Sequence, residues 1–182
     1  ISVPRKASSA AYAPPVSIIM PAHNEEKFIE RAIRSLVDDG YPRKEIIVVD
    51  DGSTYRTAAI VRRFRNVRLV KTNHVGKSAA LNKGMSIAKH DIIITLDADS
   101  VIANGSVAEL VRPLRDKKVG ASTGIIRARR TFNPLTWFQD YEYIMSSGWR
   151  YACTNIDGNS IVPGFAAFSR RALEKIGGFS SA

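Results

Sequence analysis

Two carboxylates, Asp97 and Asp99, stand one residue apart where the apolar run Ile92-Ile93-Ile94-Thr95-Leu96 stops. The run is β-branched and too brief for a typical helix, which favours a buried strand. If that strand continues through the two acids, its alternation sets both on one face. Hard oxygen ligands at the mouth of an apolar strand suit Mg²⁺ or Mn²⁺ carrying a phosphate. The alternative is that Asp97 and Asp99 begin a turn and cap a helix after Asn104.

Other polar groups fall at comparable places. His23 and Asn24 follow the apolar run Val16 to Met20, and Asp50 and Asp51 follow Ile46 to Val49. Gly76 and Lys77 sit where a helix from Ser78 to Lys89 would begin, a favourable place for an anion. Between these sites the chain alternates strand and helix. Asn24 reads as the N-cap of a helix opened by Glu25 and Glu26, with Phe28, Ile29, Ala32, Ile33, Leu36 and Val37 on one face. Gly40 and Pro42 stop it. Thr57 to Phe64 reads as a helix and Val67 to Val70 as a strand. Short β-α units with apolar strands predict a mostly parallel sheet with helices on both faces, of α/β class. Ligands bind such sheets beyond the carboxyl ends of the strands, where all these polar groups lie.

After Asp99 the pattern changes. A helix from Ser106 to Leu114 leads to a strand near Val119 to Arg127. Pro134 to Tyr151 is helical in spacing and carries Trp137, Phe138, Tyr141, Tyr143, Trp149 and Tyr151 on more than one face. Such aromatics suit core packing, a bilayer interface or a sugar-acceptor groove. Pro163 and Gly164 bend the stretch from Ile161 to Phe168. A short helix, Arg170 to Ile176, ends at Gly177 and Gly178.

The 182 residues suffice for one domain, over 16–182, behind a small, polar lead-in over 1–15. No apolar run approaches the roughly 18 residues of a membrane span. The single Cys153 excludes an intrachain disulfide and suits a reducing compartment as a small packing residue. The net charge of +10 calls for a surface or partner of opposite sign, unless it is simply a solvated basic face. Basic residues cluster at Arg62 to Lys71, Arg112 to Lys118 and Arg127 to Arg130. Without zinc-ligand spacing, an RNP-like motif or a helix-turn-helix, nucleic acid is disfavoured against anionic lipid or nucleotide phosphates.

In order and spacing, several motifs together resemble the inverting glycosyltransferases of family 2, which have a GT-A fold. They are Pro21-Ala22-His23-Asn24-Glu25, Val48-Val49-Asp50-Asp51-Gly52-Ser53, Gly76-Lys77 with Asn82 and Gly84, and Leu96-Asp97-Ala98-Asp99. Val162-Pro163-Gly164 through Arg170, then Ile176-Gly177-Gly178-Phe179, look most like the processive synthases of poly-N-acetylglucosamine, hyaluronan, chitin and cellulose. The resemblance implies a nucleotide-sugar donor, a UDP-sugar such as UDP-GlcNAc, held by Ala22, Glu25, Asp50, Asp51, Lys77, Asp97 and Gly164. It implies a divalent metal, Mg²⁺ or Mn²⁺, on Asp99 with Asp97, and a saccharide or lipid-linked acceptor attacked with inversion. The family's general base lies a few residues past Gly-Gly-Phe. Here Ser180, Ser181 and Ala182 follow Phe179, so the base is expected beyond Ala182 in a longer protein. The expected place of work is the cytoplasmic face of the cell membrane, against anionic lipid.

Two other readings stay open. Asp97-Ala98-Asp99-Ser100-Val101 also fits the opening motif of HAD-type phosphohydrolases, with Asp97 as nucleophile and Asp99 as acid/base. Alternatively the chain is a non-catalytic nucleotide-sugar-binding domain of a membrane synthase complex.

Overall fold

The computed structural model describes residues 12–54, 56–128, 133–154 and 164–180. Each apolar run becomes a strand. The chain runs through β1 (Val16–Ala22), α1 (Ile29–Asp38), β2 (Lys44–Asp51), α2 (Thr57–Val61), β3 (Val67–Thr72), α3 (Lys77–Ile87) and β4 (Ile92–Leu96). It continues through α4 (Ser106–Val111), β5 (Ala121–Thr123), α5 (Pro134–Thr154), β6 (Phe165–Ser169) and α6 (Arg170–Lys175). One six-stranded sheet has the order β3-β2-β1-β4-β6-β5. The four leading strands are mutually parallel, whereas β6 lies antiparallel between β4 and β5. The sheet is therefore mixed and mostly parallel.

Alternation along the strands splits the core between two faces. Val16, Ile18 and Met20 of β1 pack with Ile29, Ala32, Ile33 and Leu36 of α1 and with Val107, Leu110 and Val111 of α4. Ile19, Ile47, Val49 and Ile93 turn the other way, onto Ala80 and Leu81 of α3 and Leu173 of α6. Burying a Leu or Ile side chain is worth about 1.5–3 kcal/mol, so these rows outweigh any single polar contact. Gly84 lets α3 approach the sheet, because a Cβ there would collide with Ile19.

Several boundaries differ from the sequence reading, each for a local reason. β4 stops at Leu96 and does not run through the two acids. The Asp97 N–H instead donates to the Gly164 carbonyl at 3.0 Å, and the Ser100 N–H closes a turn onto the Asp97 carbonyl at 3.0 Å. Asn24 does not cap α1, which begins later, at Ile29, behind a turn over the Glu25 carbonyl. Asn24 adopts a left-handed φ of 57° and braces the loop after β2: its N–H donates to Ser53 Oγ, and its Oδ1 accepts from the Thr54 N–H. The strand expected over Val119 to Arg127 shrinks to the three residues of β5. The expected helix over Ser106 to Leu114 becomes α4 and a 3₁₀ turn, Arg112–Arg115, which starts at a proline-bearing step. Of the expected lead-in, residues 1–11 lie outside the described residues, and Tyr12 and Ala13 pack against the core.

α5 forms where its spacing predicts, yet it does not bury its aromatics. Trp137, Phe138 and Trp149 are 62–73% exposed, so core packing does not account for them. Arg129, Arg130, Asp157, Val162 and Pro163 lie outside the described residues, as do the side chains of Tyr151 and Cys153.

Candidate active site

Chain order reverses beside β1. From β1 the chain steps outward through β2 to β3, then returns to place β4 on the opposite side of β1. The crevice at such a switch point, beyond the strands' carboxyl ends, is where open α/β sheets bind ligands. A cavity of about 320 Å³ lies there. Its wall comprises Pro21, Ala22, His23 and Glu25 after β1, Asp51 at the end of β2, and His74, Gly76 and Lys77 around the start of α3. Asp97, Ala98 and Asp99 complete it after β4.

Asp51 holds the loop between β3 and α3. Its Oδ1 accepts from Thr72 Oγ1 at 2.6 Å and from the Val75 N–H at 2.7 Å. Its Oδ2 accepts from the Gly76 N–H at 2.8 Å. Burial pushes this carboxyl's pKa up, but the three hydrogen bonds and nearby His74 outweigh burial and hold it below the usual value. Gly76 takes φ 90° to open α3, a conformation that suits glycine. Lys77 follows as the first helical residue, and its Nζ reaches Asp97 Oδ1 at 2.6 Å.

The turn after β4 brings Asp97 and Asp99 to the same cavity even though the strand has ended, with buried Ala98 between them. Glu25 shares the wall. Its pKa is raised, first by burial, then by the charges of Asp99, Glu26 and Asp97. The two acids thus generate a negative field felt across the cavity, which suits a hard divalent cation. Among the described residues no three metal-ligating side chains converge. Two carboxylates, with substrate phosphate and water completing the shell, fit Mg²⁺ or Mn²⁺. Gly164 packs against the site: a Cβ there would stand 3.2 Å from Asp97 Oδ2 and 3.3 Å from Ile126 Cδ1.

Of the expected site residues, the fold brings Ala22, Glu25, Asp51, Lys77, Asp97 and Asp99 into one wall, with Gly164 packed against Asp97. Asp50 lies behind it, buried, with its Oδ1 accepting the Ser53 N–H at 3.2 Å. Supporting roles that sequence spacing does not show belong to Thr72, to Thr57, whose Oγ1 accepts the Glu25 N–H at 3.0 Å, and to His74, whose Nδ1 lies 3.9 Å from Asp51 Oδ2. A second, larger groove of about 1060 Å³ adjoins the first through Asp99. Arg31 and Ser35 of α1, Ser100 to Ala103, Ile125 to Ala128, and Gln139 and Tyr143 of α5 line it. Asp140 is not available chemistry in that groove. Arg127 grips both its oxygens at 2.7 Å, and the Ala128 N–H donates to Oδ1, which ties α5 to the segment after β5.

The mixed, mostly parallel sheet with its polar cavity at the switch point has the architecture of the GT-A fold. The chain belongs to glycosyl transferase family 2, which matches residues 17–177. It is 36% identical over 197 residues to the probable glycosyltransferase YdaM of Bacillus subtilis (strain 168), covering 98% of this chain and 46% of that protein. It is 30% identical over 169 residues to poly-beta-1,6-N-acetyl-D-glucosamine synthase of Staphylococcus epidermidis, covering 89% of this chain and 41% of the synthase. The mannosyltransferase PcManGT from Pyrobaculum calidifontis, solved with GDP-Man and Mn²⁺, superposes with a TM-score of 0.74 at 30% identity, over 96% of this chain and 50% of that one. S. aureus TarS with UDP shares the fold at 18% identity, TM-score 0.68 and 92% coverage of this chain. The chain thus spans about half, or less, of the length of these two curated relatives and of PcManGT.

Proposed function

We propose that this domain binds a UDP-sugar with a divalent metal and presents the sugar carbon to an acceptor hydroxyl, with inversion. The observation that carries the reading is the convergence of Asp51, Lys77, Asp97 and Asp99 on one switch-point cavity. Asp99 and Asp97 would hold the metal, which neutralises charge on the departing diphosphate. Lys77 then supplies a cation to the same diphosphate at a helix start. The Gly164 carbonyl, accepting the Asp97 N–H at 3.0 Å, keeps Asp97 in place.

The lone pairs of Asp51 favour uracil over guanine. A carboxylate offers about four acceptor sites. Thr72 and Val75 use both of those on Oδ1, and Gly76 uses one on Oδ2, leaving one acceptor. Uracil presents a single N–H on its pairing edge, whereas guanine presents a pair of donors that seek both oxygens. The 320 Å³ cavity with its carboxylates and lysine suits the donor, and the groove beyond Asp99 suits a saccharide or lipid-linked acceptor.

The exposed aromatic face of α5, together with the net charge of +10, supports a contact with anionic lipid on the cytoplasmic face of a membrane. No helix among the described residues is long and apolar enough to cross a membrane. Calorimetric titration with UDP and GDP, with Mn²⁺ and with EDTA, tests the donor reading. UDP is expected to bind more tightly in Mn²⁺ and to outcompete GDP; equal binding in EDTA sinks the metal role.

A further inference from the structure

His74 lines this cavity beside Asp51, and its ring has no assigned contact with the donor in the reading above. Its ring stacks on His23, with centroids 4.2 Å apart and planes tilted by 35°. The side chain is nonetheless 68% exposed, so its outer face opens to the cavity and solvent. Its backbone is in the left-handed region, at φ 54°, uncommon for a residue other than glycine although histidine enters it more readily than most. Such an outlier persists only where its surroundings hold it, and here they do. A Cβ on Gly52 would come within 2.8 Å of the His74 nitrogen, so glycine is needed for the loop to pass. On the far side, Asp51 fixes the following two N–H groups.

The ring behind it is equally fixed. His23 Nδ1 lies 2.7 Å from the Asp51 carbonyl oxygen, which can only accept, so Nδ1 carries the proton. His23 Nε2 then accepts from Asn24 Nδ2 at 3.1 Å. The Asn24 amide cannot flip without loss, because its Oδ1 already accepts from the Thr54 N–H and Thr54 Oγ1. His23 is thus a rigid backing plate, and His74 is the plate's open surface.

We infer that His74 is the stacking platform for the donor's nucleobase, and so decides how much tighter a nucleoside diphosphate binds than bare diphosphate. The inference rests on the donor site proposed above. With the diphosphate end at Asp97, Asp99 and Lys77, the base end falls at Asp51, whose one remaining acceptor lies beside the imidazole pair. A planar ring at that edge meets the His74 face.

Two substitutions separate ring from backbone. His74→Asn removes the ring and keeps a residue that tolerates positive φ, while His74→Phe keeps a flat ring. Each is titrated calorimetrically with UDP and with inorganic pyrophosphate, both in Mn²⁺. His74→Asn is expected to lose about tenfold in UDP affinity and none for pyrophosphate, with His74→Phe close to the parent. UDP binding by His74→Asn at parental strength overturns the inference, as does an equal loss for both ligands. A His74→Phe chain that melts like the parent yet binds UDP like His74→Asn also overturns it. If the parent binds neither ligand, the donor site itself is refuted, and this inference with it.

Discussion

Lys77 Nζ lies 2.6 Å from Asp97 Oδ1, tying the first residue of α3 to the residue that follows β4. Both ends of this pair are partly exposed, so its own contribution to stability is small. In the proposed reading its effect is on ligands. The ammonium masks a carboxylate that a metal would need, and the same ammonium would favour a diphosphate.

Lys77→Met therefore separates the two effects. Mn²⁺ alone is expected to bind about threefold tighter, because a competing cation is gone. UDP in the presence of Mn²⁺ is expected to bind about tenfold weaker, because a phosphate contact is gone. Electron paramagnetic resonance of free Mn²⁺ reads the first and calorimetry the second. Movement of both in one direction would refute this double role of Lys77.

Asp51→Ala leaves Thr72, Val75 and Gly76 without their shared acceptor. It is expected to cost about 2 kcal/mol of folding stability, read by urea denaturation. The parent also carries a pH signature. Because the folded carboxyl titrates below its ordinary 3.8, its contribution is complete above that value and is lost as pH falls through the folded pKa. Asp51→Ala should lack this component of acid destabilisation, and an unchanged stability difference between pH 7 and pH 3 would argue against it.

Glu25 reports the field of the acid pair. Burial is its first cause of elevation and Asp99 the second, so Asp99→Asn should lower the Glu25 pKa without restoring it to 4.5. A carboxyl raised in the folded state contributes most below its unfolded pKa and loses that as pH rises through the folded value. Carbon-detected NMR titration of the Glu25 carboxyl measures the change; an unmoved midpoint would place Asp99 outside its field.

Much of this was legible in advance, and the reasons are physical. Continuous apolar strands such as Ile92 to Leu96 can only be buried on both faces, so the sheet and its carboxyl edge followed from pattern alone. Asp97 and Asp99 were expected to converge through strand alternation, and they converge through a turn held by Gly164, a residue far off in sequence. Asn24 looked like a helix cap because local preference favours it there, but Ser53 and Thr54 offered better partners across the loop. Spacing carries no trace of such long-range hydrogen bonds. His74 was missed for the same reason, since only the fold stacks it on His23.

The α5 face yields a prediction that does not depend on the sugar. The chain is expected to float with anionic vesicles at low salt and to release at about 0.5 M salt, where screening is strong. Replacing Trp137 and Trp149 by Ser should reduce flotation severalfold with little change in melting temperature, since both are exposed. Indifference to lipid at low salt would mean that this face serves another partner.

The antiparallel β6 has a consequence for the order in which the sheet can be made. The run β3-β2-β1-β4 can assemble as soon as Leu96 has emerged from the ribosome. β4 then offers its free side until Phe165–Ser169 arrives, and β5, which pairs with β6, waits equally long. Asp97 waits too, because the carbonyl that fixes its turn belongs to Gly164. During synthesis the growing chain thus passes through an interval in which the β1 and β2 side of the cavity is shaped but the corner at Asp97 is not, and an unpaired central edge is open to wrong partners.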